Sequence, residues 1–283
     1  MNLFEIIYPH FKFNRGHPIK LFEAFAGIGC QRMAFNKLGV PIVSVGISEI
    51  DKYALKSYKE IHGDCNNFGS ITDIRGDQLP EIDIFTWSFP CTDLSKAGKQ
   101  KGLVNTRSGL CYEVLRILHE AHSVDNLPRV LIMENVVDLI QTKFIRQFNE
   151  IQASLELLGY KNYVQALNAK DYGVPQNRDR VFMVSILGDY YYEFPKPIPL
   201  QKRLADMLED QVDEKYYLSD TAIKYITKEE RLNKYTKIDG DISRCLTAKA
   251  SMITNQFISE CIQVGELTGD KWDKQYEKKS ACI

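Results

Sequence analysis

Ile84-Phe85-Thr86-Trp87-Ser88-Phe89-Pro90-Cys91-Thr92-Asp93-Leu94-Ser95 is the stretch whose reading decides the rest. Ile82 to Trp87 is a short apolar run, and it reads as a buried strand. It gives way to Ser88-Phe89-Pro90-Cys91 and then to a polar loop. A cysteine just past the C-terminal end of a parallel strand sits where open α/β sheets place their chemistry. Pro90 fixes its own φ and restricts Phe89, so a stiff loop presents the thiol. A cysteine is a good nucleophile, more so when its pKa is lowered. Taken alone, a Pro-Cys pair reads equally as a buried structural thiol, and the choice between the two depends on the rest of the chain.

The chain has 283 residues, 44% of them hydrophobic and 11% aromatic, enough for one large domain or one domain plus a smaller one. A net charge of -1 argues against a surface coated in positive charge and leaves a local basic groove as the place for a polyanion. The seven cysteines (Cys30, Cys65, Cys91, Cys111, Cys245, Cys261 and Cys282) are odd in number and form no C-x-x-C pair. A disulfide framework and a metal site are therefore not expected, and a reducing compartment is. Met1 to Arg15 has no apolar core of signal-peptide length, and no apolar run is long enough to span a membrane, so the expected location is cytoplasmic.

Upstream of the cysteine, Ile19 to Ala24 reads as a strand, followed by Phe25-Ala26-Gly27-Ile28-Gly29 and a helical pattern from Gln31 to Leu38. Gly27 and Gly29 allow a tight turn and a ligand's close approach to the backbone, although an ordinary glycine turn has the same composition. Pro41 to Ile47 reads as the second strand and ends at Ser48-Glu49. An acid there can accept hydrogen bonds from ribose hydroxyls, and Glu49 follows Gly29 by 20 residues, as in dinucleotide folds; a solvated surface acid is the alternative. Lys52 to Ile61 is predicted helical, Asp64 to Gly69 a turn-rich loop and Ser70 to Ile74 a short third strand. Residues 1–18 read as a preamble with a short amphipathic helix.

Beyond Cys91, residues 96–106 are basic, polar and glycine-bearing, the composition of a mobile loop beside a site or of a plain surface loop. Ser108 to Ala121 has helical spacing, and Arg129 to Met133 is a strand that ends in Glu134-Asn135-Val136. Glu134, 43 residues after Cys91, is a general-acid candidate if it faces a cleft, or else a cap or surface acid. Residues 142–158 form a predicted helix with Gly159 as its cap. A strand follows over Tyr163 to Leu167. Arg178 and Arg180 then enter a strand over Val181 to Ile186 pointing the same way, a pair suited to phosphate or carboxylate unless it is a solvated edge. Pro195, Pro197 and Pro199 make a stiff connector, taken as a domain boundary. Past it, Leu200 to Leu208 and Ser219 to Tyr225 look helical, and Ile242 to Ala248 and Phe257 to Val264 look like strands.

Together these stretches resemble the DNA (cytosine-5) methyltransferase family, densely over residues 19–187 and in the family's motif order. Phe25-Ala26-Gly27-Ile28-Gly29 resembles its cofactor loop, Ser88-Phe89-Pro90-Cys91 its nucleophile motif and Glu134-Asn135-Val136 its catalytic acid motif. Gln176-Asn177-Arg178-Asp179-Arg180 resembles its arginine motif, and Arg107-Ser108-Gly109-Leu110 the stretch that closes its catalytic loop. The resemblance implies an α/β, doubly wound, mostly parallel sheet with the S-adenosylmethionine-dependent methyltransferase fold. Residues 1–194 would be the catalytic domain and 200–283 a small, partial target-recognition region. It implies catalytic roles for Cys91, Glu134, Arg178, Arg180 and Ser95. The cofactor-binding set would be Phe25, Ala26, Gly27, Ile28, Gly29, Glu49, Ile50, Ser70, Ile71, Pro90 and Leu110.

Two departures stand out. Where the family commonly carries an Asp 21 residues before the cysteine, this chain has Ser70, with Asp73 nearby. The two motifs that follow the family's recognition region are not visible, so the expectation includes a second polypeptide that supplies them. The implied chemistry is attack of Cys91 on C6 of a flipped-out cytosine in double-stranded DNA and methyl transfer to C5 from S-adenosylmethionine, in a bacterial or phage-encoded restriction-modification setting. An RNA cytosine methyltransferase of the same family, or a partner-dependent subunit or inactive fragment, remains open from sequence alone.

Overall fold

The computed structural model describes residues 17–90, 107–209, 213, 219–229 and 240–244. Cys91, Ser95, the 96–106 loop, the N-terminal helix and the Phe257 to Val264 strand lie outside the described residues. In chain order the elements are β1 (Ile19–Ala24), α1 (Cys30–Lys37), β2 (Ile42–Ser48), α2 (Lys52–His62), β3 (Ile84–Trp87), α3 (Cys111–Ser123), β4 (Val130–Asn135), α4 (Ile145–Leu157), β5 (Tyr160–Asn168), β6 (Gln176–Asn177), β7 (Asp179–Leu187), α5 (Asp220–Ile226) and β8 (Ser243–Arg244). Six strands form one sheet in the order β2-β1-β3-β4-β7-β5. β1 to β4 run parallel, and β7 lies antiparallel to β4. This is the mostly parallel, doubly wound α/β sheet that the alternating strand and helix patterns predict.

β1 and β3 are interior strands with both faces covered; β3 is buried throughout, and β1 is buried except at Lys20. On one face Phe22 stacks on Phe85 with centroids 5.1 Å apart, and this pair packs with Trp87, Leu131 and Met133 against α3 and α4. On the other face Leu21, Ile84, Val130 and Val184 pack with Phe35 of α1, while Ile47 and Ala26 pack on Tyr58 of α2.

The strand register places the candidate site. Ser48 pairs with Ala24, Ala24 with Trp87 and Trp87 with Met133, so the four parallel strands arrive on one line. The next residues, Glu49, Phe25, Ser88 and Glu134, therefore line a single edge, where the first three leave the sheet and Glu134 is still paired with β7. The chain crosses from β1 out to β2 and returns to β3 on the other side of β1. β1 and β3 flank this reversal of strand order, which is where open α/β sheets form a crevice.

Four expectations change. Ser70 to Ile74 is a single helical turn over Ile71–Asp73 in place of a strand: Ser70 Oγ accepts from the Thr72 N–H at 3.3 Å, and Thr72 Oγ1 donates to Asp73, local bonds that compete with pairing in a sheet. Leu200 to Leu208 holds only the turn Leu204–Met207, because Leu204 alone is buried and there is no apolar stripe to seat a longer helix. Of Ile242 to Ala248, Ser243–Arg244 pairs with Gln176–Asn177, and residues 245–248 lie outside the described residues. The helix predicted over 142–158 begins at Ile145 and ends before Gly159, whose φ of 91° and N–H bond to the Glu156 carbonyl make a left-handed stop.

The chain divides into two compact units. One holds Met1–Ala166 and Arg180–Pro195; the other holds Leu167–Asp179 and Lys196–Ile283. In the second, Asn168 organises the 167–179 segment: its Nδ2 donates to Asn177 at 2.7 Å and Asp179 at 2.8 Å, and its Oδ1 accepts from the N–H groups of Lys170 and Arg178.

Gly76 has no space for a side chain: a Cβ there would stand 1.9 Å from the Ile117 carbonyl oxygen of α3. Gly76→Ala should destabilise the first unit by about 1–3 kcal/mol. Denaturant unfolding checks this, and an unchanged midpoint contradicts the packing of the 70–78 segment on α3.

Candidate active site

The loop after β1 turns sharply. Phe25, Gly27 and Gly29 all have left-handed φ values, at 56°, 56° and 78°. For phenylalanine this is an outlier, and it persists only when the surroundings over-determine it. The Ala26 N–H donates to the Ser48 carbonyl at 3.1 Å, and the Gly29 N–H donates to the Ala26 carbonyl at 2.9 Å. Glu49 completes the tie. Its Oε2 accepts from the Gly27 N–H at 2.8 Å, and its Oε1 accepts from the N–H groups of Ile50 and Asp51, both at 2.8 Å. The two glycines differ in kind. A Cβ on Gly27 would meet nothing within 4 Å, whereas on Gly29 it would lie 2.4 Å from His62 Nε2 and 2.7 Å from the Tyr58 ring.

Asn67 joins this loop to the next. Its Oδ1 accepts from the Glu49 N–H at 3.2 Å and the Gly69 N–H at 3.1 Å, and its Nδ2 donates to the Glu49 carbonyl at 3.0 Å. Ser48 Oγ donates to the Gly69 carbonyl at 2.8 Å. Glu49 and Ser70 are therefore held as one rim, with Ile71 buried beneath it and Ile50 projecting 75% exposed beside it. Ser70 Oγ already pairs with Thr72 Oγ1 at 2.7 Å.

The approach to Cys91 is gripped from both sides. Gln31, in the first turn of α1, donates from Nε2 to Ser88 Oγ at 3.2 Å. Asn135, buried at the end of β4, donates from Nδ2 to the Phe89 carbonyl at 3.1 Å, and its Oδ1 accepts from the Val136 N–H at 2.9 Å. Asn135 thus ties the acid motif to the backbone two residues before the cysteine. Phe89 is buried against Trp87, and Pro90 is half-buried.

Glu134 and Arg180 meet across the antiparallel pair. Glu134 is opposite Phe182, so Arg180 is its diagonal neighbour on the same face, and Arg180 Nε stands 2.9 Å from Glu134 Oε1 with both side chains partly exposed. The Arg180 guanidinium thus orients the Glu134 carboxyl group at the level where β3 ends. Burial pushes the Cys111 thiol up to about 12 and also raises Cys65, so neither is suited to nucleophilic work.

The structure brings Phe25 to Gly29 together with Glu49, Ile50, Ser70 and Ile71, and it pairs Glu134 with Arg180. Leu110 packs at the edge of the core before α3. Arg178 falls in the second unit. Cys91 and Ser95 are outside the described residues. Sequence reasoning missed Asn67, Glu23, Tyr58 and His62. Glu23 had one legible signal, a carboxylate between apolar residues of an interior strand. The other three act through contacts distant in sequence.

A family model described as C-5 cytosine-specific DNA methylase matches residues 19–280. The chain is 36% identical to the Type II methyltransferase M2.ScrFI of Lactococcus lactis subsp. cremoris, over 72% of this chain and 71% of that one. It is 38% identical to the Type II methyltransferase M.NlaX of Neisseria lactamica, over 71% and 63%. It is 30% identical to the orphan methyltransferase M.SPRI of Bacillus phage SPR, over 93% and 67%. The chain spans between about half and seven-tenths of the length of the curated relatives it matches. Among solved structures the fold is similar to S. pombe Dnmt2 (TM-score 0.64, 20% identity, 82% of this chain and 72% of that one) and to the Entamoeba histolytica methyltransferase EhMeth (TM-score 0.68, 18% identity, 86% and 76%).

The two glycines should respond differently to alanine. Both substitutions carry the left-handed backbone cost of about 1–2 kcal/mol. Gly29→Ala also drives a methyl group into His62 and Tyr58, worth a further ~1–3 kcal/mol. Thermal melting should show the larger loss for Gly29→Ala, and equal losses would contradict the loop geometry.

Proposed function

The chain belongs to the C-5 cytosine-specific DNA methylase family, and from that premise we propose that it methylates C5 of cytosine in double-stranded DNA through a covalent adduct at Cys91. The observation that carries this reading is the Glu134–Arg180 ion pair on the same sheet edge from which the Ser88-Phe89-Pro90 approach departs. An acid fixed in that place has a use only if a base with a protonatable ring nitrogen is brought to it.

S-adenosylmethionine fits the rim between Gly27 and Ser70. Open space over Gly27 admits a ligand against the backbone, Glu49 offers carboxylate oxygens to ribose hydroxyls, and the apolar Ile50 projects where a flat heterocycle can lie. When bound, the donor supplies an electrophilic methyl carbon. The remaining chemistry belongs to the chain. Cys91 thiolate adds to C6 of the cytosine, which makes C5 enamine-like and nucleophilic. Glu134 shares a proton with N3 and so stabilises the charge that the addition creates, while Arg180 holds the carboxyl group in line. Once C5 carries the methyl group it loses its proton, the C6–S bond breaks and the aromatic ring and the thiolate are restored. A base stacked in a duplex is out of reach, so it is flipped into the cleft. Lys96, Lys99 and Lys101 are placed by sequence to meet phosphates as it enters.

Radiolabelled methyl transfer into duplex DNA, with transfer RNA as a parallel substrate, tests the reading. Cys91→Ser should abolish transfer with folding intact. Glu134→Gln should retain donor binding and lose roughly 10²–10⁴-fold in turnover. Donor affinity lost in step with rate would make Glu134 structural. Glu49→Ala should weaken S-adenosylmethionine by roughly 1–3 kcal/mol in titration calorimetry, since it removes both a charged acceptor and the tie on Gly27. Normal affinity would remove Glu49 from the cofactor site.

A further inference from the structure

Glu23 is a fully buried carboxylate in the central strand β1, two residues before the left-handed Phe25. Burying a carboxylate is costly unless it is hydrogen-bonded. Glu23 has two donors from separate elements. Tyr58 of α2 donates its hydroxyl to Oε2 at 2.6 Å, and the Arg32 N–H of α1 donates to Oε1 at 3.2 Å. Arg32 is in the first turn of α1, whose cap position, Gly29, has no side chain to satisfy the free N–H groups there. Glu23 therefore caps the helix from the strand beneath and spans the whole Phe25–Gly29 loop as a chord.

A second chord comes from α2. The Tyr58 hydroxyl accepts from Arg32 Nη1 at 3.2 Å, so one oxygen links both helices to the strand. The His62 ring lies 4.7 Å from the Tyr58 ring, with its Nε2 3.1 Å from the Gly29 carbonyl oxygen. Both rings occupy the space that a Cβ on Gly29 would need.

We infer that Glu23, Tyr58 and His62 are a positioning unit that sets the Phe25–Gly29 loop in its left-handed turns for the methyl donor, and so controls donor affinity without taking part in methyl transfer. This rests on reading that loop as the S-adenosylmethionine cradle. The donor side of the loop, over Gly27, is open, whereas the Gly29 side is filled by the unit. A strained turn held from one side keeps its N–H groups aimed at the other, and loosening the unit spreads that energy into loop conformations that do not bind. Burial raises the Glu23 carboxyl, opposed by the Tyr58 and Arg32 bonds, and burial with Glu23 holds the Tyr58 hydroxyl at about 12, so the hydroxyl stays a donor.

Tyr58→Phe removes one oxygen and keeps the ring packed on Ile47 and Gly29. Calorimetry with S-adenosylmethionine and S-adenosylhomocysteine should show about tenfold weaker binding of both, the effect of losing one hydrogen bond to a charged group. The KM for S-adenosylmethionine should rise with it, while kcat at saturating donor and the KM for DNA remain unchanged. His62→Gln, at a half-buried position, should shift affinity the same way by a smaller factor and serves if Tyr58→Phe does not fold. Glu23→Gln in the Tyr58→Phe background should recover part of the loss, because no buried charge is then left short of a donor. Wild-type affinity in Tyr58→Phe, or a fall in kcat with donor KM unchanged, overturns this inference alone. A wild-type chain that binds neither ligand overturns the cradle reading and this inference with it.

Discussion

The shared register of four parallel strands is the constraint on which the remaining structure depends. Ser48, Ala24, Trp87 and Met133 stand side by side in the sheet, so Glu49, Phe25, Ser88 and Glu134 line one edge. A slip of one residue in any strand would turn that strand's buried set to the opposite face and move its functional side chain out of line. The apolar residues of β1 and β3, buried on both faces, make such a slip prohibitive. The same packing that stabilises the sheet thus fixes where its polar groups emerge.

The polar groups at that edge are organised by a set of hydrogen bonds, some buried or half-buried and those of Asn67 exposed. Glu49 binds Gly27, Asn67 binds Glu49 and Gly69, Asn135 binds Phe89, and Gln31 binds Ser88. Each bond adds about 1 kcal/mol to stability, but leaving its buried partner unmade costs more, so the set favours one arrangement strongly over its neighbours. The edge is also where the protein tolerates imperfection. Phe25 sits in a disfavoured backbone region, and Thr86 Oγ1 and Trp87 Nε1 are buried with no hydrogen-bond partner among the described residues.

Much of this was legible in the sequence because the signals are local. The apolar runs of β1 and β3, the glycines after β1, and the polar residues that end each strand are read within a few positions. Ser70 to Ile74 carries three β-branched residues, Ile71, Thr72 and Ile74, which suit a strand, while the hydroxyls of Ser70 and Thr72 form a turn that composition does not reveal. Leu200 to Leu208 has helical residues and no surface to cover. Glu23, Tyr58 and His62 stayed hidden for a different reason: their meaning lies in contacts 35 and 33 residues apart, which only the folded sheet brings about. Family resemblance supplied the roles of Cys91 and Glu134, and the packing supplied the reason Glu134 faces Arg180.

We propose that Cys91, in the loop after β3, adds to C6 of a cytosine in DNA. The most direct measurement is mass spectrometry of the protein incubated with S-adenosylmethionine and duplex DNA that carries 5-fluorocytosine in methylatable sites. Fluorine at C5 cannot leave as a proton, so the adduct cannot resolve once C5 is methylated. The account predicts a protein–DNA species carrying one added methyl group, with the linkage mapped to the peptide containing Cys91. Transfer of methyl groups to ordinary cytosine with no such adduct, or an adduct mapped to another cysteine, would contradict it.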